Sequence, residues 1–214
     1  MKNKKIVSGT ITVLFFAVIF SSGCITKGVK EVIPISALEA WNLIEKDIKS
    51  NYPDARLIEV FAGHKQGLLI VRPTTWEKET GELTPLLGAN DGKADKWQIT
   101  LYSLSDNLYI SVEISKFKDS ETSMNINTRE AVFSPSNSSF INLEEWKIDS
   151  TVAVDIINNN TDSKCRPWSI TLDKSYISGY GWKLIWEINY DLRMAGGEIK
   201  TFNATIDAVS GVVY

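Results

Sequence analysis

The chain has 214 residues, enough for one large domain or two small ones. Its hydrophobic fraction of 43% and charged fraction of 23% are those of a packed globular protein and exclude wholesale disorder. A net charge of −3 gives no footprint for nucleic acid, and one histidine with two cysteines leaves little material for metal or nucleophile sites.

The first segment reads as an export address. Lys2, Lys4 and Lys5 precede an uncharged, mainly apolar run from Ile6 to Phe20, and Ser21-Ser22-Gly23-Cys24 follows. Those 15 residues are short for a membrane span, which needs about 20. Small residues ending in cysteine resemble the lipobox of prokaryotic lipoproteins. Gly23 and Ser22 match it, and Ser21 stands where an aliphatic residue is usual. The resemblance implies cleavage after residue 23 and a lipid on Cys24. An uncleaved N-terminal anchor is the alternative, and either places the remainder outside the cytoplasm. Without residues 1–23 the charge becomes −6, which argues against a second, polybasic membrane contact. Cys165 then has no partner within the chain and reads as a buried free thiol. A Cys24–Cys165 bridge requires that no lipid be attached. Asn137, Asn159 and Asn203 open Asn-x-Ser/Thr sequons, of which Asn203 falls in an expected strand.

Residues 25–33 read as tether. Ser36 and Glu39 make a capping box for a first helix, with Leu38, Trp41, Leu43, Ile44 and Ile48 as its apolar stripe and Asn51 and Pro53 as its stop. Strands are expected over Arg56–Ala62 and Gly67–Val71, joined by a turn holding His64. Residues 72–95, rich in Gly, Pro and charge, read as a long loop. Alternation at Trp97, Ile99 and Leu101, then at Leu108, Ile110, Val112 and Ile114 across Ser105-Asp106-Asn107, predicts an antiparallel hairpin. Met124–Asn127 and Ala131–Phe133 predict a weaker pair. A second helix is expected from Asp149 or Ser150, with Val152, Ala153, Ile156 and Ile157 inward, stopping at Asn158-Asn159-Asn160. Trp168–Leu172, Trp182–Tyr190, Phe202–Ile206 and Val212–Tyr214 predict further strands. Trp97, Trp168, Trp182 and Trp186 are expected in the core.

The order of helix and strands recurs, with Trp97, Ile99 and Leu101 matching Trp182, Leu184 and Trp186. The expected fold class is therefore α+β, as two repeated units that each lay one amphipathic helix across an antiparallel sheet. The units are 34–134, carrying the 72–95 insertion, and 143–214. A linker, 135–142, joins them, after a signal peptide, 1–23, and a lipidated tether, 24–33.

At the C-terminus, Gly181-Trp182-Lys183-Leu184 and Phe202-Asn203-Ala204-Thr205-Ile206-Asp207-Ala208-Val209-Ser210-Gly211-Val212-Val213 resemble a PepSY-type domain. Gly211 suits a turn needing positive φ, and Asp207 can cap its N–H groups. In the first half, Tyr52-Pro53-Asp54-Ala55 resembles the family's helix-to-strand link. The resemblance implies an exported, non-catalytic module of a type found in propeptides of secreted metallopeptidases, where it is associated with inhibition.

No residue set points to catalysis, metal or cofactor. His64 has no nucleophile motif beside it. Asn90–Asp95 falls short of calcium-loop spacing, and Glu144-Glu145 reads as a solvated face. Trp76, an aromatic in a charged loop, is the candidate partner contact. The expected function is a membrane-anchored, extracytoplasmic lipoprotein, held by lipid on Cys24, that binds a protein or peptide. The alternative is a small-ligand or envelope-component module with a pocket between helix and sheet.

Overall fold

The computed structural model describes residues 31–63, 91–119, 121–161, 165–194 and 197–214. In chain order these form β1 (Val32–Ile33), α1 (Ala37–Asn51), β2 (Arg56–Gly63), β3 (Trp97–Ser103), β4 (Leu108–Phe117) and β5 (Thr122–Glu130). A single 3-10 turn (Asn137–Ser139), α2 (Ser150–Asn159), β6 (Arg166–Ile177), β7 (Gly181–Arg193) and β8 (Ile199–Asp207) follow.

The expectation of two helix-packed sheet units is overturned. All eight strands belong to one antiparallel sheet in the order β1-β4-β3-β2-β6-β7-β8, with β5 also on β4. Each half is helix followed by meander, but β2 of the first half pairs directly with β6 of the second, Glu59 opposite Asp173 through Gly63 opposite Ser169. Two separate sheets would leave both strands with an edge of unpaired N–H and C=O groups, and pairing them satisfies both. Gly63 lets the seam close at its end. Its φ is +115°, and a Cβ there would lie 2.3 Å from the Trp168 carbonyl oxygen.

Residues from both helices and from strands β2, β3, β4, β6, β7 and β8 share one apolar core. The inward face of the sheet carries Val60, Ile99, Val112, Leu172, Trp186 and Ile206, all fully buried. Both helices cover this face, and the capping box at Ser36 and Glu39 forms as the spacing predicts. The buried stripe of α1 is Ala37, Ala40, Trp41, Ile44 and Ile48, and Leu38 and Leu43 flank it in solvent. The helix N-termini abut. The Asp149 carboxylate, which caps α2 by accepting from the Ser150 N–H, also accepts from the Leu38 N–H of α1 at 3.0 Å. The Ser150 hydroxyl accepts from the Ala37 N–H at 3.0 Å. Two positive helix ends thus converge on one carboxylate.

A second device fixes each helix to the sheet. Trp97 Nε1 donates to the Ile35 carbonyl at 2.8 Å, and Trp186 Nε1 donates to the Ile148 carbonyl at 2.7 Å. In both cases the acceptor is the residue just before a helix N-cap. The equivalent of Trp97 is therefore Trp186, and the match to Trp182 is four residues out of register.

Of the expected pair, Met124–Asn127 lies within one longer strand, β5, which has nine uninterrupted partners on β4, whereas Ala131–Phe133 forms no strand and leaves Val132 and Phe133 exposed. The chain then crosses the outward face of the sheet. Phe133 C=O accepts from the Tyr109 hydroxyl, Ser134 bonds the Tyr102 hydroxyl, Phe140 stacks on Tyr102, and the Ile141 N–H donates to Leu57.

Candidate functional site

Several residues singled out by sequence lie outside the described residues: Cys24, His64, Trp76 and the Gly67–Val71 strand. Cys165 is fully buried, and that burial pushes its thiol up to about 11. Asn203 lies in β8 with its amide donating to Glu187 and Asn189. Glu145 pairs with Lys174 at 3.1 Å. Asp91 caps the Lys93 N–H, and Ala94 bridges Ile35, so this stretch ties the approach to α1 to the approach to β3. The helix–sheet interface is filled by buried side chains. A shallow hollow of about 290 Å³ lies elsewhere, beside Glu31, Phe117, Lys118 and Asp119.

The four strand tryptophans do not share one fate. Trp97 and Trp186 are fully buried, and Trp168 is half-buried. Trp182, expected in the core, is 52% exposed. It belongs to an apolar end of the sheet that alternation alone conceals. Tyr176 and Tyr180 are each 64% exposed, and Val209, Val212, Val213 and Tyr214 are exposed as well. Tyr176 and Trp182 face each other across β6 and β7 with ring centroids 6.1 Å apart. Tyr180, in the turn between those strands, lies 5.0 Å from the Tyr214 ring.

The closing turn holds this end together. Asp207 Oδ1 accepts from the Val209 and Ser210 N–H groups at 2.9 Å, as the residue pattern predicts, and Gly211 has φ +78°. Asp207 Oδ2 accepts from the Tyr214 hydroxyl at 2.8 Å and lies 3.9 Å from Lys183 Nζ. Burial raises the Asp207 carboxyl, but the bonds from Ser210, Tyr214 and Val209 outweigh it and hold it below the usual carboxylate range. The same contact, after burial, pushes the Tyr214 phenol up to about 12. The Asp207 carboxylate is thus satisfied within the turn, and the large side chains exposed around it are aromatic and aliphatic. The only sequence signal that could have found it is local: Tyr176, Tyr180 and Trp182 crowd a two-glycine turn, Gly179 and Gly181.

The outward face of the sheet carries buried Phe61, Tyr102 and Ile185 and, at its middle, a group of carboxylates. Glu59 and Asp173 sit opposite each other across the β2–β6 seam, with Glu187 diagonal to Asp173 on β7. Burial pushes the Asp173 carboxyl up to about 6, eased by the Ser175 hydroxyl and reinforced by Glu187 and Glu59.

The two sheet edges differ. The C-terminus folds back on β8: Asp207 N–H donates to Val212, Tyr214 N–H donates to Thr205, and Ile206 bridges Val213. No described residue pairs with the outer side of β5.

Among the described residues no helix is long and apolar enough to cross a membrane. No protein-family model matches the chain, and no curated protein matches it significantly. The PepSY-type resemblance therefore stands on the residues quoted for it. Among solved structures, the chain is similar to the crystal structure of a Clostridium difficile 630 protein provisionally assigned as a lipoprotein. The TM-score is 0.47 and the identity 12%, over 82% of this chain and 90% of that one.

Proposed function

We propose that this chain is an exported lipoprotein, anchored through Cys24, that docks a protein partner through the aromatic end of its sheet and is not an enzyme. The observation that carries the reading is the cluster of Tyr176, Tyr180, Trp182, Val212, Val213 and Tyr214, exposed together around an Asp207 carboxylate that is already satisfied. Contiguous exposed apolar patches mark interaction sites, and Tyr and Trp are enriched where interfaces draw their energy.

The position of the patch fits an anchored protein. The strand registers put Glu31, where the described chain begins, beside the Phe117 end of β4, and put the β6–β7 turn at the opposite end. Ten residues of β4 at about 3.3 Å each separate the two by about 30 Å, which leaves the patch clear of the tether. The PepSY-like closing turn forms part of the patch, so a secreted or surface peptidase is the first partner class to try.

Two measurements test this. Intact mass of protein from its own membranes should show a chain beginning at Cys24 with lipid attached, and Cys24→Ser should abolish that species. A photoreactive residue at Tyr180 should give a discrete adduct in intact cells, and one at exposed Leu43 on α1 should not. Equal adducts from both positions would remove the aromatic end as the docking surface.

A further inference from the structure

We propose that β5 is a self-association edge: a second copy of this chain adds antiparallel along it and joins two eight-stranded sheets into one.

An unprotected edge strand presents unpaired N–H and C=O groups, and proteins normally blunt it with proline, a bulge, charge or a covering segment. β5 carries none of the first two, and its nine residues keep perfect register with β4. Seven of them, Thr122 to Thr128, are uncharged. The other edge, β8, is partly covered by the C-terminal residues, which shows how this fold covers an edge.

The direction of each backbone group follows from the bonds that flank the ladder. Phe117 N–H donates to Glu121 C=O at 2.8 Å, and Ala131 N–H donates to Asn107 C=O at 3.0 Å. Both lie in register with the β4–β5 pairs, and hydrogen-bonded pairs alternate along an antiparallel ladder. Residues 123, 125, 127 and 129 therefore bond inward to β4. The N–H and C=O groups of Thr122, Met124, Ile126, Thr128 and Glu130 point outward.

These outward groups are self-complementary. Centred on Ile126, an antiparallel second copy sets Ile126 against Ile126, Met124 against Thr128 and Thr122 against Glu130, so outward groups meet only outward groups. The side chains agree. Ser123 falls opposite Arg129 and Asn125 opposite Asn127. Arg129 and Glu130, the only charges in β5, lie at opposite ends of the two copies, whereas parallel addition would stack each on its like. A two-fold contact of this kind is isologous and closes at two copies.

The register gives a sharp test in the full-length chain in detergent. Asn125 and Asn127 would oppose each other in a non-hydrogen-bonded pair with Cα atoms about 4.5 Å apart, within disulfide reach, whereas like positions sit on the diagonal. Mixing Asn125→Cys with Asn127→Cys should give disulfide-linked dimer several-fold above either variant alone and above the unsubstituted chain. Sedimentation should find a dimer. Thr128→Pro removes an outward donor and leaves the inward bonds of Asn127 and Arg129, so it should return a monomer with the parent's far-UV circular dichroism and a melting temperature that no longer rises with protein concentration. A monomer before substitution, a cross-link without preference for the mixed pair, a dimer that survives Thr128→Pro, or an edge filled by a different protein each overturns the proposal.

Discussion

Trp182 and Trp186 lie four residues apart on the same side of one strand, yet one faces solvent and the other is the centre of the core. Trp186 stacks edge-on against Trp146, and its indole N–H holds the carbonyl before α2. Trp182 meets only Tyr176 among the ring contacts described and projects from the end of the sheet. The alternation is the same for both. What separates them is where the helix lies. An apolar side chain under α2 contributes stability, and one beyond it is left for a partner.

The largest test of that contrast is Trp186→Ala. Loss of the buried ring, with one hydrogen bond to Ile148, should destabilise the fold by about 3–5 kcal/mol in urea unfolding. A loss near zero would mean that Trp186 does not anchor the helix. Asp173→Asn probes the opposite, outward face of the sheet. The folded state holds the Asp173 proton more tightly than the unfolded state, from 3.8 up to about 6. Its favourable contribution is complete below the lower value and lost as pH rises through the upper. The variant should therefore be more stable than the parent at pH 7 and above, by about 1–3 kcal/mol at ~1.4 kcal/mol per pKa unit. That gain should vanish below pH 4 in paired thermal melts. A gain that is independent of pH would assign it to packing.

Asp149→Ala tests what holds the helices over the covered face. One carboxylate serves two helix starts, so the loss should reach about 1–2 kcal/mol, the upper part of the single-cap range, by denaturant titration. Asp149→Asn should recover much of it. The smallest expected effect on stability is at Trp182→Ala, within about 0.5 kcal/mol, since little packing is removed. The same variant should lose partner adducts at position 180. If it instead melts like Trp186→Ala, the two ends of β7 are not different in kind.

Much of the local structure was legible. The Ser36–Glu39 box, the start of α2 at Ser150, the β3–β4 hairpin and the Asp207–Gly211 turn all depend on residues within a few positions of one another. Asp54 shows the limit. Its place in the helix-to-strand link could be read, but not that it accepts from Ser103 and the Ser105 N–H and so steadies a hairpin turn about fifty residues later. Of the candidate site, the glycines of the β6–β7 turn and the aromatics beside it were visible. Their exposure was not, because alternation reports which side of a strand a residue takes and not what covers it.

By itself the sequence determined the helices, most strand faces and the closing turn, since capping, periodicity and turn geometry act over short stretches. Only the tertiary structure decided that there is one sheet and not two, because that depends on β2 meeting β6. It also decided that Trp186 is covered and Trp182 is not, and that the C-terminus covers the last residues of β8 while no described residue pairs with the outer side of β5. Burial and edge pairing are settled between segments far apart in the chain, where the unsatisfied backbone groups and apolar faces of one find those of another.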